Sequence, residues 1–163
     1  MRTLSPLFVV FAAACSAEAE PPDLAYTVEV FTRVDDNAIV SDCITEGQTY
    51  RETFTYELFF EGSNLELKVG SGGEAAEAFA SGTRSGCDLV YESAVWLEER
   101  PAGDLRWQLV GSAVNEGGSG GCDLTEGLDW EGSEVIEVVE SDDPTVEEGC
   151  TYELVTEGTL KAG

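Results

Sequence analysis

Five cysteines and 33 acidic side chains carry most of the chemistry open to this chain of 163 residues, which contains no histidine. Without an imidazole, Ser–His–Asp and Cys–His nucleophilic catalysis, histidine general bases and the usual catalytic zinc sites are excluded. What remains is carboxylate chemistry. Glycosidase-type hydrolysis needs two carboxyl groups about 5–10 Å apart, and among 33 acids some pair meets that condition by chance. No acid stands in an aromatic sequence neighbourhood that would raise its pKa. The chain is therefore read as not an enzyme, with a carboxylate-based hydrolase the least favoured function. Calcium is the other partner of clustered carboxylates, and it takes about six to eight oxygens. Asp35-Asp36-Asn37 marks a tight turn, and Glu140, Asp142, Asp143, Glu147 and Glu148 crowd one loop. Glu140, Asp142 and Asp143 are the candidate calcium ligands; the spacing fits no EF-hand, and a solvated acidic loop is the favoured reading. No cofactor is implied. The glycines of Asn115 to Gly121 precede no Gly-Lys-Ser/Thr and make no phosphate cradle. Trp96, Trp107 and Trp130 read as core or rim packing rather than a sugar platform.

The N-terminus decides where these groups work. Arg2 is followed by an apolar run from Leu4 to Ala14, broken only by Ser5 and Pro6, and Ala12-Ala13-Ala14-Cys15-Ser16 closes it. A positive start, an apolar stretch and a small-residue cleavage site make residues 1–14 a secretory signal peptide. The run is far short of the roughly 20 apolar residues of a spanning helix. Small residues leading into a cysteine resemble the lipobox of bacterial lipoproteins. The resemblance implies that Cys15 receives a diacylglyceryl thioether, that the chain is cut in front of it, and that the new amine is acylated with a palmitate-like chain. Several acyl chains on one residue exceed the two-signal threshold for stable anchoring. Ser16 after the cysteine implies, within that family, delivery to the bacterial outer membrane. The family usually has leucine where Ala12 stands. The alternative is ordinary cleavage at an A-x-A site, giving a secreted or periplasmic soluble protein.

With Cys15 lipidated, Cys43, Cys87, Cys122 and Cys150 form an even set without a C-x-x-C pair, which favours structural disulfides over zinc or redox work. Of the three pairings, Cys43–Cys150, joining early and late strands, with Cys87–Cys122 is favoured. Removing residues 1–14 loses Arg2 and leaves all 33 acids against seven basic residues. That charge repels nucleic-acid phosphate and anionic headgroups, so no nucleic-acid partner is expected, and the membrane is reached only through the lipid.

The elements that must position these residues follow a period of two, with no helix-period stretch of useful length. Residues 15–24 form the lipidated end and a polar, proline-bearing tether; residues 25–163 form one disulfide-stapled β domain. Tyr26, Val28, Val30 and Val34 share one face of a first strand, and Ala38 to Thr45 reads as a second. Phe54, Tyr56, Leu58 and Phe60 pair across a turn at Glu61-Gly62-Ser63-Asn64 with Leu65, Leu67 and Val69. This stretch, Tyr56 to Val69, resembles hairpins of small lipocalin-like meanders, although the Gly-x-Trp signature of lipocalins is missing near the first strand. Ala75 to Ser81 reads as a weak edge strand. Leu89, Tyr91, Val95 and Leu97 alternate into a five-residue loop, which places Val95 opposite Trp107, Leu97 opposite Leu105 and Trp96 opposite Arg106 as a cation–π pair. Leu124 to Trp130, Val135 to Val139 and Tyr152 to Leu160 supply the last strands. Gly86-Cys87-Asp88, Gly121-Cys122-Asp123 and Gly149-Cys150-Thr151 each open a strand, which predicts that the three cysteines gather at one end of the sheet. The expected fold is all-β: an antiparallel meander closed as a lipocalin-like barrel, or a two-sheet sandwich, of about eight to ten strands. The expected function is a non-catalytic binding or envelope-interaction module, holding an apolar small ligand or meeting an envelope protein, with a structural envelope spacer as the alternative.

Overall fold

A computed structural model describes residues 20–35, 38–43, 49–71, 76–116 and 129–161. Every regular element in these residues is a strand: β1 Leu24–Thr32, β2 Val34–Asp35, β3 Ala38–Ile39, β4 Arg51–Glu61, β5 Asn64–Ser71, β6 Glu77–Ser85, β7 Asp88–Ser93, β8 Trp96–Glu98, β9 Leu105–Glu116, β10 Asp129–Ser141 and β11 Thr151–Leu160. The sheet runs β10-β11-β1-β4-β5-β6-β7-β9, and a β9–β10 pairing closes it into an eight-stranded antiparallel barrel. Closure removes the unpaired edges that a sandwich would leave. The expected period of two is plain in β1, where Leu24, Tyr26, Val28, Val30 and Thr32 are all buried. The β4–β5 hairpin has the predicted register, with Tyr56 opposite Val69, Leu58 opposite Leu67 and Phe60 opposite Leu65. Gly62 adopts a φ of +64°, the left-handed conformation that suits a two-residue turn to the strand twist.

Strand direction gives the barrel two unlike ends. β1, β5, β7 and β10 run from an end closed by the Gly62 turn towards the opposite end; β4, β6, β9 and β11 run back. At the closed end Trp130 is fully buried, with the rings of Tyr26, Tyr56 and Tyr91 at 5.6, 5.5 and 6.1 Å. Its indole Nε1 donates to Thr156 Oγ1 at 2.9 Å. Gly132 makes room beside it, since a Cβ there would lie 2.6 Å from both Ser112 O and Thr156 Oγ1. At the other end the chain after β1 turns out through the β2–β3 ribbon and returns along the start of β11, with Glu153 N donating to Val40 O and Asp42 N to Thr151 O. The Cys43–Cys150 disulfide, paired as expected, pins this strap to β11.

Several expectations are corrected. Val34 is 48% exposed instead of sharing the face of Val30, because the chain leaves the barrel at Arg33 for the ribbon. β6 pairs with both β5 and β7 and is no edge strand. The strands expected to end at Trp130 and to begin at Val135 are one: β10 runs from Asp129 to Ser141, and Gly132 is a packing glycine. The predicted register holds for β7, where Leu89 faces Ala113, but slips by one residue beyond it. Trp96 faces Trp107 and Leu97 faces Arg106, so the Trp96–Arg106 pair does not form, and Arg106 binds Glu140 at 2.8 Å. A bulge at Ala94–Val95 causes the slip: Leu109 N donates to the Ser93 hydroxyl, which itself donates to Ala94 O. A one-residue slip exchanges the faces of a strand. Val95 and Leu97 are accordingly half exposed, at 48% and 50%. Finally, β7 and β11 begin at opposite ends, three strands apart round the barrel, so Cys87 and Cys150 do not gather. Cys87 is itself disulfide-bonded; Cys122, its expected partner, lies outside the described residues.

Candidate functional site

Above the Trp130 plug the inward side chains do not fill the barrel. A cavity of about 780 Å³ lies between Val30, Phe54, Val69, Phe79, Leu109 and Leu154, with exposed Thr49 and Tyr50 at its rim. Pockets for small ligands typically measure about 300–1,000 Å³ and are mostly apolar with a few placed polar groups. The period-two pattern explains the lining: inward positions on β1, β4, β5, β6, β9, β10 and β11 carry aliphatic or aromatic residues towards the open end. The bulge at Ala94–Val95 turns Trp96 to this side, where it packs 6.4 Å from Phe79.

One inward position breaks the apolar rule. Glu134, between Gly132 and Ile136 on the inner face of β10, lines the cavity and is only 2% exposed. Tyr56 Oη and Tyr91 Oη both donate to its Oε1, at 2.9 and 2.7 Å. Burial raises the Glu134 pKa above the ordinary glutamate value, and the two phenols oppose that rise by stabilising the charged form. The same burial, with the facing carboxylate, holds both tyrosine hydroxyls well above their usual range. Gly111 shapes the site from β9, since a Cβ there would run into the Tyr91 ring. Other lining hydroxyls are spent on protein partners: Tyr152 Oη is hydrogen-bonded to Thr32 Oγ1, and Tyr50 Oη donates to Glu52 at 2.7 Å. Thr32 also accepts from Tyr50 N at 2.6 Å, which fixes the rim residue to the end of β1.

The sequence reading missed this glutamate. Its aromatic partners, Tyr56 and Tyr91, come from β4 and β7 rather than from its own flanks, so the expectation that no acid has its pKa raised, drawn from flanking residues alone, is overturned. A signal was present: Trp130, Gly132, Glu134, Ile136 and Val138 share one parity, and a continuous strand would have turned Glu134 inwards.

The residues singled out from sequence are dispersed. Glu140 is engaged by Arg106. Asp143 Oδ1 accepts from Thr145 N at 2.8 Å and Thr145 Oγ1 at 2.6 Å, which holds its carboxyl below the usual range. The one described group of three metal-ligating residue types is Asp42, Cys43 and Cys150, and its two sulfurs are joined to each other. Glu140, Asp142 and Asp143 are thus not brought together. Cys15 lies outside the described residues, as do Asp36 and Asn37. At the closed end the Tyr26 hydroxyl is fully enclosed without a hydrogen-bond partner, and burial, helped by Asp129, pushes its pKa up to about 12.

Fold and site together define a closed eight-stranded antiparallel barrel with one plugged end, one open end and an apolar cavity around a buried carboxyl group. No known protein family, curated protein or solved structure matches the chain.

Proposed function

We propose that this protein is an exported, non-catalytic binding module, anchored through lipid on Cys15 at the bacterial outer membrane, that takes an apolar small molecule into its barrel. The cavity carries the reading: its walls are aliphatic and aromatic, and its rim is exposed at Thr49 and Tyr50. Leaving that much apolar surface uncovered forgoes stabilisation of about 25 cal/mol per Å², which a bound apolar ligand recovers. The carboxylate hydrolase reading would need a second acid, and Glu134 is the sole carboxylate among the described lining residues. The placement of the tether agrees with anchoring. Asp23 N donates to Leu58 O at the closed end, so the chain enters opposite the mouth. Residues 15–23 can reach at most about 30 Å when extended, so an anchor on Cys15 would hold the closed end nearer the bilayer than the mouth.

Titration of the purified protein with N-phenylnaphthylamine, an uncharged fluorophore that brightens in apolar surroundings, tests the binding. A saturable rise that is lost in Leu154→Trp, a substitution that fills the cavity, is the expected result; no saturable rise would sink the reading. Labelled palmitate should mark the wild-type chain and spare Cys15→Ala. An outer-face stripe favours a second reading, docking of an envelope protein. Val90 on β7 and Val110 and Val114 on β9 are 52%, 49% and 37% exposed. A photo-crosslinker at Val110 that captures one envelope protein would support it.

A further inference from the structure

The geometry points to an amphiphilic amine, an apolar chain ending in an ammonium group, as the ligand class of the cavity, with Glu134 as the group that receives the ammonium. The inference rests on the apolar-ligand reading above and adds the head group. Three observations carry it. First, both phenols converge on Glu134 Oε1, and no protein donor reaches Oε2 among the described residues. The Tyr26 hydroxyl is the one fully enclosed, unpartnered polar side-chain atom described, so Oε2 keeps access to the cavity. Second, no Lys or Arg is among the described residues that line the cavity, so none of them offers the carboxylate a cationic partner. A buried carboxylate without one is costly, and a ligand cation relieves that cost where an alcohol or a fatty acid does not. The Tyr152 and Tyr50 hydroxyls have protein partners and Thr49 is exposed at the rim, leaving Glu134 as the buried polar anchor among the described lining residues. Third, the whole chain carries a net charge of −25, and a surface of that sign gathers cations and repels carboxylates before they reach the mouth.

Displacement of N-phenylnaphthylamine by dodecylamine, dodecanol and dodecanoate, each below its micelle concentration, tests the head group. Dodecylamine should displace the probe about ten- to hundredfold more tightly than dodecanol, the range of a charge-assisted hydrogen bond, with dodecanoate weakest. The amine-to-alcohol ratio should fall to about one in Glu134→Gln. Equal binding of the three chains, tightest binding of dodecanoate, or an amine preference that persists in Glu134→Gln would overturn the inference while leaving the apolar cavity standing. Failure of the probe and all three chains to bind would overturn the cavity reading with it. If Glu134→Gln does not fold, the wild-type ratio at about 0.5 M salt decides, because surface attraction is screened there and a cavity pair is not. A ratio that collapses in salt overturns the inference.

Discussion

At the closed end of the barrel Trp130 is fully enclosed by three tyrosines and hydrogen-bonded to Thr156, whereas at the open end side chains of similar character leave a cavity of about 780 Å³. Both ends are built from inward positions of the same strands, so hydrophobic patterning alone does not separate them. The difference lies in what crosses the barrel. Trp130 projects across the closed end because Gly132 and Gly158 leave space beside it. The open end has a bulge at Ala94–Val95, the buried Glu134, and a strap fastened from outside by Cys43–Cys150. Stability is concentrated where packing is complete, and the disulfide holds the end where it is not.

Removing the plug should break that contrast most severely. Trp130→Ala is expected to lower stability by about 3–5 kcal/mol, the range for truncating a buried aromatic, read as the midpoint and extrapolated free energy of urea unfolding. A loss under about 1 kcal/mol would mean that the closed end is not the stabilising one. Next in size is the Cys43→Ala/Cys150→Ala double variant. The bridge joins residues 107 apart in sequence, so its loss should cost about 2–4 kcal/mol by freeing the unfolded chain. Because the strap borders the rim, probe exchange should also quicken in this variant and stay unchanged in one destabilised at the closed end. Tyr26→Phe works in the opposite direction. It removes an enclosed hydroxyl that has no partner and should stabilise the protein by about 1 kcal/mol. Any loss of stability would mean that the hydroxyl does find a partner in solution.

Much of the closed end was legible in the sequence. Alternation from Tyr26 to Val30 and from Phe54 to Val69 is strong, and the Gly62 turn fixes one register. At the open end the inward positions Val30, Phe54 and Val69 and the Cys43–Cys150 pairing were legible as well. The slip after Ser93 follows from a side-chain hydroxyl replacing a ladder acceptor, which no periodicity records. Glu134 was hidden for a related reason: Gly132 and Ser133 look like turn residues, and only the partner strands show that Gly132 is a space-maker. The site is thus assembled from β4, β7 and β10, and local sequence says little about which aromatic rings will face one acid.

The smallest effect sharpens the comparison best, because it is read in pH. Burial raises the Glu134 pKa in the folded state above the unfolded value of about 4.3. Between those two values the folded chain holds a proton that the unfolded chain has released. The Glu134 contribution to stability is therefore full below about pH 4, falls as pH rises through the window and is level above the folded pKa. The hydrogen bonds from Tyr56 and Tyr91 narrow that window by favouring the charged form, without reversing its direction. Glu134→Gln removes the titration. The variant should match the wild type near pH 4 and become more stable than it towards pH 7, by about 1 kcal/mol, the size of an ordinary single substitution. Urea midpoints of both proteins at the two pH values measure the gap. A gap that is constant with pH, or widens towards acid, would place the carboxyl in a solvated mouth rather than at the base of an apolar cavity. Trp130→Ala, with no titrating group removed, should shift stability almost equally at both pH values, so the two variants separate the packed end from the binding end by pH dependence alone.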